Sequence, residues 1–250
     1  MNKQTDLSGK VALITGAAHR IGAEMARQLH QAGMNIALHY RNSKENAETL
    51  ADQLNAKRPN SVVLIQANLL DTKHLPGVIA AATKPWQRLD VLINNASTFY
   101  PTQVSSATEA DWDDLIGSNL KAPFFLSQAA ANELTKQQGC VVNIVDIHSQ
   151  RPMKGYPIYS AAKAGLAMLT MSLARELGPE VRVNGVAPGA ILWPEHEMDD
   201  SAKDEILNRT ALKRQGSPAD IARTALFLIK DADYISGQII NVDGGRTLGF

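Results

Sequence analysis

A tyrosine and a lysine four residues apart, Tyr159 and Lys163, are the residues of this sequence whose spacing most directly suggests chemistry. The small and unbranched residues around them predict a helix, on which residues four apart share a face. A phenol with a reference pKa of about 10 is a poor acid or base near neutrality, but a neighbouring ammonium favours its anion. The pair therefore predicts proton transfer by Tyr159, although the same spacing also occurs on exposed helices that have no catalytic role.

Asp146 is a third candidate for this chemistry. It follows the apolar run over 141–145, which predicts a buried strand that ends shortly before the Tyr159 helix. Apolar runs alternate with helical patterns along the rest of the chain, so we expect an α/β fold with parallel strand pairing and right-handed crossovers. The carboxyl ends of such strands share one edge of the sheet, where ligands bind. Asp146 and Tyr159 are therefore expected at the ligand-binding edge.

The positioning elements follow from hydrophobic periodicity and from helix start and stop signals. Strands are predicted at 11–15, 35–38, 61–66, 90–96, 141–145, 181–187 and within 237–245. Helices are predicted after Gly22, at 43–57, at 72–86 with an interruption at Pro76 and Gly77, at 108–134 with a bend at Pro123, around Tyr159, and from Ser217 onward. Without an internal repeat or linker, the pattern indicates one domain over 1–250.

The first strand leads into a turn with glycines at Gly16 and Gly22, followed by a helical pattern. Turn amides and the positive end of the helix dipole converge on an anion, and glycines let the backbone approach it closely. This strand, turn and helix predict a dinucleotide site. The glycine pattern by itself is weak, and its position after the first strand gives it weight.

The end of the second strand bears on the choice of cofactor. An NAD-specific protein usually carries an acidic residue there for the ribose hydroxyls, but this chain has His39, Tyr40, Arg41 and Ser43. Arg41, His39 and Ser43 can instead contact a 2′-phosphate, which favours NADPH over NADH. The alternative is an ordinary basic loop with no ligand.

Composition excludes several classes of function. Lysine plus arginine equals aspartate plus glutamate, at 25 each, so no global field attracts nucleic acid or an anionic membrane. The single cysteine, Cys140, excludes an internal disulfide and most cysteine-based metal sites and is expected in the core. No stretch approaches the roughly 20 apolar residues of a membrane helix, so a cytoplasmic protein is expected.

The longest irregular stretch predicted in the chain covers 190–215, and a segment of this kind beside a cofactor edge typically acts as a substrate loop. Glu195, His196 and Glu197 lie inside it. Adjacent residues do not converge well on one ion, so no metal site is expected there.

Together these motifs resemble the short-chain dehydrogenase/reductase family from about Lys10 to Gly245. The resemblance is carried, in the family's order, by the run from Thr15 to Gly22, Asn94-Asn95-Ala96, Asn119, Tyr159 with Lys163, Pro188-Gly189 and Asp243-Gly244-Gly245. It implies a Rossmann-type doubly wound parallel sheet of about seven strands with helices on both faces, hydride transfer from a nicotinamide, and a homotetramer.

Three departures from the common family pattern are informative. Asp146 replaces the family's usual serine, Arg20 replaces the middle glycine of the first turn, and Ser97-Thr98-Phe99 follows Asn-Asn-Ala in place of glycine. These changes, with the His39-Tyr40 run, look like the pteridine reductase branch, which reduces dihydropterins and folates with NADPH. A carboxyl group could relay a proton to a pterin ring nitrogen. Phe99 could stack on the flat pterin, and Arg20 could bridge the cofactor phosphates and the pterin carbonyl. Alternatively, Asp146 only caps the next turn and Phe99 belongs to the core.

The resemblance also implies roles for the remaining site residues. Tyr159 would donate a proton or orient the substrate, Lys163 would hold the nicotinamide ribose and lower the pKa of Tyr159, and Asn119 would support Lys163 through a water relay. Asn68 stands where the family usually has an aspartate beside the adenine. The residues expected at the cofactor are Gly16, Arg20, Ile21, Gly22, His39, Tyr40, Arg41, Ser43, Asn68, Leu69, Asn95, Ala96, Ser97, Tyr159, Lys163, Pro188 and Gly189.

Two rival functions stay open from the sequence. One is a carbonyl reductase of the same family, such as a 3-oxoacyl carrier protein reductase, against which Asp146 in place of serine counts. The other is a non-catalytic NADP-binding regulator, which would have no need of Tyr159, Lys163 and Asn119.

Overall fold

Seven strands and eight α-helices form the described part of the chain, which covers residues 6–193 and 199–249 of a computed structural model. The strands are β1 (Val11–Ile14), β2 (Asn35–Tyr40), β3 (Val62–Gln66), β4 (Val91–Asn94), β5 (Cys140–Ile144), β6 (Arg182–Pro188) and β7 (Ile239–Val242). The helices are α1 (Arg20–Gln31), α2 (Lys44–Lys57), α3 (Leu75–Thr83), α4 (Glu109–Ile116), α5 (Ala122–Gln137), α6 (Pro157–Glu176), α7 (Asp200–Asn208) and α8 (Pro218–Lys230).

The strands form one parallel sheet in the order β3-β2-β1-β4-β5-β6-β7. Strand order reverses between β1 and β4, and this switch point opens a crevice at the carboxyl ends of the strands. The prediction of a doubly wound Rossmann-type sheet with seven strands is confirmed.

Both faces of the sheet are covered because successive residues of each strand point to opposite sides. In β1, Ala12 and Ile14 join a core with residues of α1, α2 and α8. Val11 and Leu13 join a second core with residues of α3, α5 and α6. Cys140 is buried in the first of these cores, as predicted.

Two predicted helices differ in detail from the structure. A 3-10 turn at Thr72–His74 precedes α3, and Pro76 lies in the first turn of α3, where its missing N–H costs nothing. The helix predicted over 108–134 is divided by a π-helical turn, Gly117–Lys121, which ends two residues before Pro123. Its start is as predicted, because the Thr108 hydroxyl and the Asp111 carboxylate form a reciprocal capping box.

The segment 190–215 is less irregular than predicted. Its described part contains α7, whose first turn is capped by the Asp199 side chain. Glu195, His196 and Glu197 lie outside the described residues. Within the described ranges, no group of three or more His, Cys, Asp or Glu side chains is arranged to hold a metal ion. None of the helices described is long and apolar enough to cross a membrane.

Candidate active site

The glycine turn after β1 is held by side chains from two strands. The Thr15 hydroxyl donates to the Ile93 carbonyl (3.2 Å) and accepts from the backbone amides of Asn95 and Ala96 (2.9 Å each). The Asn95 side-chain amide donates to the carbonyls of Thr15 (2.8 Å) and Gly16 (3.0 Å). Thr15 belongs to the family motif but was not predicted as a site residue, because its place at the end of an apolar strand gives no local signal of this role.

This turn is shaped to receive a phosphate group. A Cβ on Gly22 would lie 2.4 Å from the Gly16 carbonyl oxygen, and a Cβ on Gly16 would lie 3.0 Å from the Ala96 Cα. The backbone at both positions therefore needs glycine. Helix α1, which includes Ile21, begins without a side-chain cap from His19, so its first-turn N–H groups are presented at the sheet edge. These features fit the dinucleotide predicted from the sequence.

Arg20 occupies a left-handed backbone conformation, with φ of 54°. Glycine adopts this region freely, whereas a residue with a side chain costs roughly 1–2 kcal/mol there. The turn thus tolerates strain to place an exposed arginine at the first position of α1. Strained residues of this kind cluster at functional sites.

His39 does not lie where a direct phosphate contact requires. Its side chain is 1% exposed, its Nδ1 accepts from the Gly16 amide (3.1 Å), and its Nε2 donates to the Ala67 carbonyl (3.1 Å). Burial lowers the pKa of His39 to about 4, so the ring is neutral near pH 7. The prediction that His39 contacts a 2′-phosphate is therefore wrong: because the ring is enclosed between the ends of β1 and β3, it supports the glycine turn instead.

The other residues predicted around the adenosine half line the same edge. Arg41 and Asn68 are exposed, Ser43 is half-buried, and Tyr40 and Leu69 are buried. Asn68 accepts from the Leu70 amide through Oδ1 (3.2 Å). The exposed Arg41 and Asn68 therefore present a cation and an amide to a ligand at the ends of β2 and β3.

Asp146 and Tyr159 form a direct pair. The Tyr159 hydroxyl donates to Asp146 Oδ2 (2.8 Å), and the His148 backbone amide donates to Asp146 Oδ1 (2.8 Å). Asp146 therefore caps the 3-10 turn Ile147–Ser149, which was one of the two roles considered from the sequence, and it also bonds the phenol. The Asp146 carboxylate thus connects the end of β5 to the first turn of α6. Its role as a proton relay stays a prediction.

Tyr159 is buried, and its pKa is raised well above the ordinary value by that burial, by the negative charge of Asp146 and by their hydrogen bond. The expectation that Lys163 lowers the pKa of Tyr159 is not met in this form of the protein. Burial and the carboxylate both oppose the phenolate, while the Lys163 Nζ lies 5.6 Å from the Tyr159 ring centroid. The phenol is therefore held protonated, as a proton donor must be.

Lys163 is a buried cation on the same face of α6. Its Nζ donates to the Ile144 carbonyl at the end of β5 (2.9 Å), and burial lowers its pKa to about 8, against an opposing effect of Asp146. This bond fixes the helix against the strand. The ammonium retains two further N–H donors for a ligand.

Asn119 lies in the π-helical turn and is 1% exposed. Its side-chain amide donates to the carbonyls of Thr98 (2.9 Å) and Leu115 (3.0 Å) and accepts from the Ser97 hydroxyl (2.6 Å). Asn119 therefore ties the segment after β4 to the helix layer. A water relay from Asn119 to Lys163 stays a prediction.

Phe99 is not a core residue, since 47% of it is exposed. Its ring stacks on Tyr156 (centroids 4.7 Å apart, planes at 10°) and meets Tyr159 edge-on (4.8 Å, 74°). Tyr156 was not predicted as part of the site, although its place three residues before Tyr159 was a usable signal. The three rings form an aromatic wall beside Asp146.

Pro188 and Gly189 close the opposite side of the edge. The Gly189 amide donates to the Val242 carbonyl (3.0 Å), and a Cβ on Gly189 would lie 2.7 Å from Asp243. The backbone after β6 is thus packed tightly against the turn after β7. The site residues predicted from eight separate segments lie along one edge of one sheet.

Comparisons with known proteins agree with this architecture. Residues 16–247 match a family model described as enoyl-(acyl carrier protein) reductase. The chain is 36% identical to pteridine reductase 1 of Leishmania tarentolae, over 98% of each chain. It is 38% identical to a 3-oxoacyl acyl-carrier-protein reductase of Staphylococcus aureus, over 96% of this chain and 98% of that protein. A second reductase of that name, from Thermotoga maritima, is 35% identical over 97% of this chain and 99% of its own.

The parallel sheet carries a glycine turn at its switch point, and α6 carries a tyrosine and a lysine four residues apart. The relatives named above match the chain over nearly their whole length. The chain belongs to the short-chain dehydrogenase/reductase family and is an oxidoreductase of the NAD(P)H-using type.

Proposed function

We propose that this protein is a pteridine reductase that uses NADPH to reduce 7,8-dihydropterins of the dihydrobiopterin or dihydromonapterin type, and dihydrofolate, to the tetrahydro level. The observation that carries the proposal is the 2.8 Å hydrogen bond from the Tyr159 hydroxyl to the Asp146 carboxylate. A serine at this position suits a carbonyl oxygen that gains negative charge. A carboxyl group suits a substrate whose ring nitrogen needs a proton.

Reduction of a C=N bond adds a hydride to carbon and a proton to nitrogen. The nicotinamide, when bound, supplies the hydride. The protonated Tyr159 phenol supplies the proton, which the Asp146 carboxylate relays to the ring nitrogen directly or through water, and the phenol is then reprotonated from solvent. Phe99, exposed on the aromatic wall, offers a face to the flat heterocycle, a contact worth about 0.5–1.5 kcal/mol beyond its buried area.

The cofactor proposal rests on charge at the ends of β1 and β2. Arg20 and Arg41 are exposed there, and the Ser43 hydroxyl makes no capping bond to α2. A guanidinium with a hydroxyl is well suited to a 2′-phosphate. Lys163, anchored on Ile144, would hold the nicotinamide ribose, and Asn95, Ala96 and Ser97 would border it.

Arg20→Gly tests the part assigned to the strained turn. Release of the left-handed strain (about 1–2 kcal/mol) is partly cancelled by the flexibility that glycine adds to the unfolded chain (about 0.5–1 kcal/mol), so stability should change little. NADPH affinity should fall roughly tenfold, because a charge-assisted hydrogen bond is lost. Titration by cofactor fluorescence measures the affinity and thermal melting measures the stability. Unchanged NADPH affinity would remove Arg20 from the cofactor site.

A second candidate is 3-oxoacyl carrier protein reduction, which is favoured by the 38% identity to the Staphylococcus aureus reductase. The two candidates share fold, cofactor class and the Tyr159 and Lys163 pair, and they differ at Asp146. A non-catalytic regulator would need none of these side chains.

The deciding experiment follows NADPH oxidation by absorbance with dihydrobiopterin, dihydrofolate and an acetoacetyl thioester in parallel. Oxidation with the pterins alone supports the proposal. Oxidation with the thioester alone assigns the protein to carbonyl reduction, and turnover of any substrate excludes the regulator. Replacing NADPH with NADH in the same assay tests the cofactor preference.

The homotetramer and the cytoplasmic location stay predictions. Large apolar side chains on α4, α5 and α6 are exposed, which is compatible with an interface between copies: Trp112 (50%), Phe124 (37%), Met168 (60%) and Met171 (40%).

A further inference from the structure

The turn that follows β7 brings arginines from three separate segments together. Arg246 begins the 3-10 turn Arg246–Leu248, Arg151 belongs to the loop that carries Asp146, and Arg209 follows α7. Arg151 donates to the Gly249 carbonyl (3.1 Å). A Cβ on Gly249 would lie 2.8 Å from the Arg209 carbonyl oxygen and 3.6 Å from that of Arg246.

The backbone that carries Arg246 is fixed. The Asp243 carboxylate accepts from the amides of Gly245 (2.9 Å) and Thr247 (2.8 Å) and from the Thr247 hydroxyl (2.8 Å). Gly244 and Gly245 have φ of 63° and 79°, so the tight turn requires glycine at both positions. Arg246 therefore lies in a tight turn whose backbone is fixed by the hydrogen bonds to Asp243.

Arg246 follows β7, which ends at the same sheet edge as Asp146. Strand register aligns Ile144 with Val186 and Val186 with Ile240, so Asp146 and Val242 each lie two residues further along the same edge. Two strand spacings, about 10 Å, separate these positions. The side chain of Arg246 is half-buried, and burial lowers its pKa, while the negative charge of Asp146 opposes that effect.

The guanidinium of Arg246 makes no hydrogen bond or ion pair with residues 6–193 or 199–249. Arg209, in contrast, is paired with Glu205 (2.8 Å). Desolvating a guanidinium is costly unless an anion or acceptor compensates. A half-buried cation on the same sheet edge as Asp146 and Tyr159 is thus suited to an anion on the substrate.

We propose that Arg246, with Arg151, forms an anion subsite that binds a carboxylate or phosphate on the side chain of the pterin substrate. The inference rests on the proposed pterin function and adds a substrate preference to it. Dihydrofolate, with its glutamate carboxylates, and a phosphorylated dihydroneopterin carry such a group. Dihydrobiopterin has a neutral side chain and does not.

The test compares kcat/KM of wild type and Arg246→Gln on these three substrates. Loss of a charge-assisted hydrogen bond should lower kcat/KM roughly 10- to 100-fold for the anionic substrates, mainly through KM, and less than about twofold for dihydrobiopterin. Arg151→Gln should act in the same direction, and Arg246→Lys should partly restore the preference. Arg175→Gln is the matched control, since this exposed arginine lies twelve residues beyond Lys163 on α6, about 18 Å along its axis.

Each outcome has a distinct meaning. A decrease in kcat/KM with dihydrofolate alone identifies a carboxylate subsite. A decrease in kcat/KM with the phosphorylated pterin alone identifies a phosphate subsite. Equal loss on all three substrates overturns the proposal, because Arg246 would then act on Asp146 rather than on the side chain. No change with any substrate also overturns it. If wild type turns over no pterin at all, the proposed function itself fails. Dihydrobiopterin turnover in the variant shows that it is folded.

Discussion

Asp146→Asn is expected to lower kcat for dihydropterin reduction by about 10²- to 10⁴-fold, the usual contribution of a positioned acid or base. An asparagine is nearly isosteric but has a single acceptor oxygen, whereas Asp146 uses one oxygen for Tyr159 and the other for the His148 amide. It also cannot relay a proton. NADPH affinity should stay near that of wild type, because no cofactor-binding role is assigned to Asp146.

A readout independent of turnover follows from the charge of Asp146. Since this charge and its hydrogen bond both raise the pKa of Tyr159, their removal should lower that pKa. An ultraviolet titration of the phenol, with Tyr159→Phe to identify its signal, measures the change. Asp146→Ser, which restores the usual family residue, is the matched variant. Its kcat for dihydropterin reduction should be as low as that of Asp146→Asn. Loss of NADPH binding together with turnover would refute the assigned role.

Lys163→Met is expected to reduce kcat about 10²-fold or more and to raise the KM for NADPH, because we assign this one buried ammonium to both the proton donor and the nicotinamide ribose. Methionine keeps the volume and the apolar stem. The lowered pKa shows that burial disfavours the charge, and its removal offsets the loss of the bond to the buried Ile144 carbonyl, which costs about 1–3 kcal/mol. The stability of the variant at neutral pH should therefore stay close to that of wild type, and thermal melting checks this. A variant that is inactive because it is unfolded would contradict the prediction.

The pH profile separates the role of the Lys163 charge from its packing. With a pKa of about 8, Lys163 is an ammonium below that pH and neutral above it. If the ammonium is required, kcat/KM of wild type falls as pH rises through about 8, and this limb is absent from any residual activity of the Met variant. The contribution of Lys163 to folding stability changes with pH in the opposite direction to kcat/KM. Because the folded pKa is below the unfolded value, the unfolded chain binds more protons between them, and this group's contribution to stability rises with pH there.

The sequence by itself determined the fold and the grouping of the site. Alternating apolar runs and helical patterns require parallel strands, and parallel strands place their carboxyl ends at one edge, so Gly16, Asn95, Asp146 and Pro188 had to lie near one another. The helix that carries Tyr159 and Lys163 follows from local composition. The parallel pairing and the shared edge depend only on the period of the side chains and on chain connectivity, whereas the seven-stranded Rossmann-type sheet was implied by the family resemblance.

Only the tertiary structure decided what each side chain does there. His39 reads as a phosphate ligand in the sequence, but neighbouring strands enclose it, and burial makes it a neutral support for the glycine turn. Tyr159 is held protonated rather than ionised, because burial and the adjacent Asp146 carboxylate both raise its pKa. Arg246 joins the site through strand register. Burial, distance and charge between segments remote in sequence set these properties, and no local pattern encodes them.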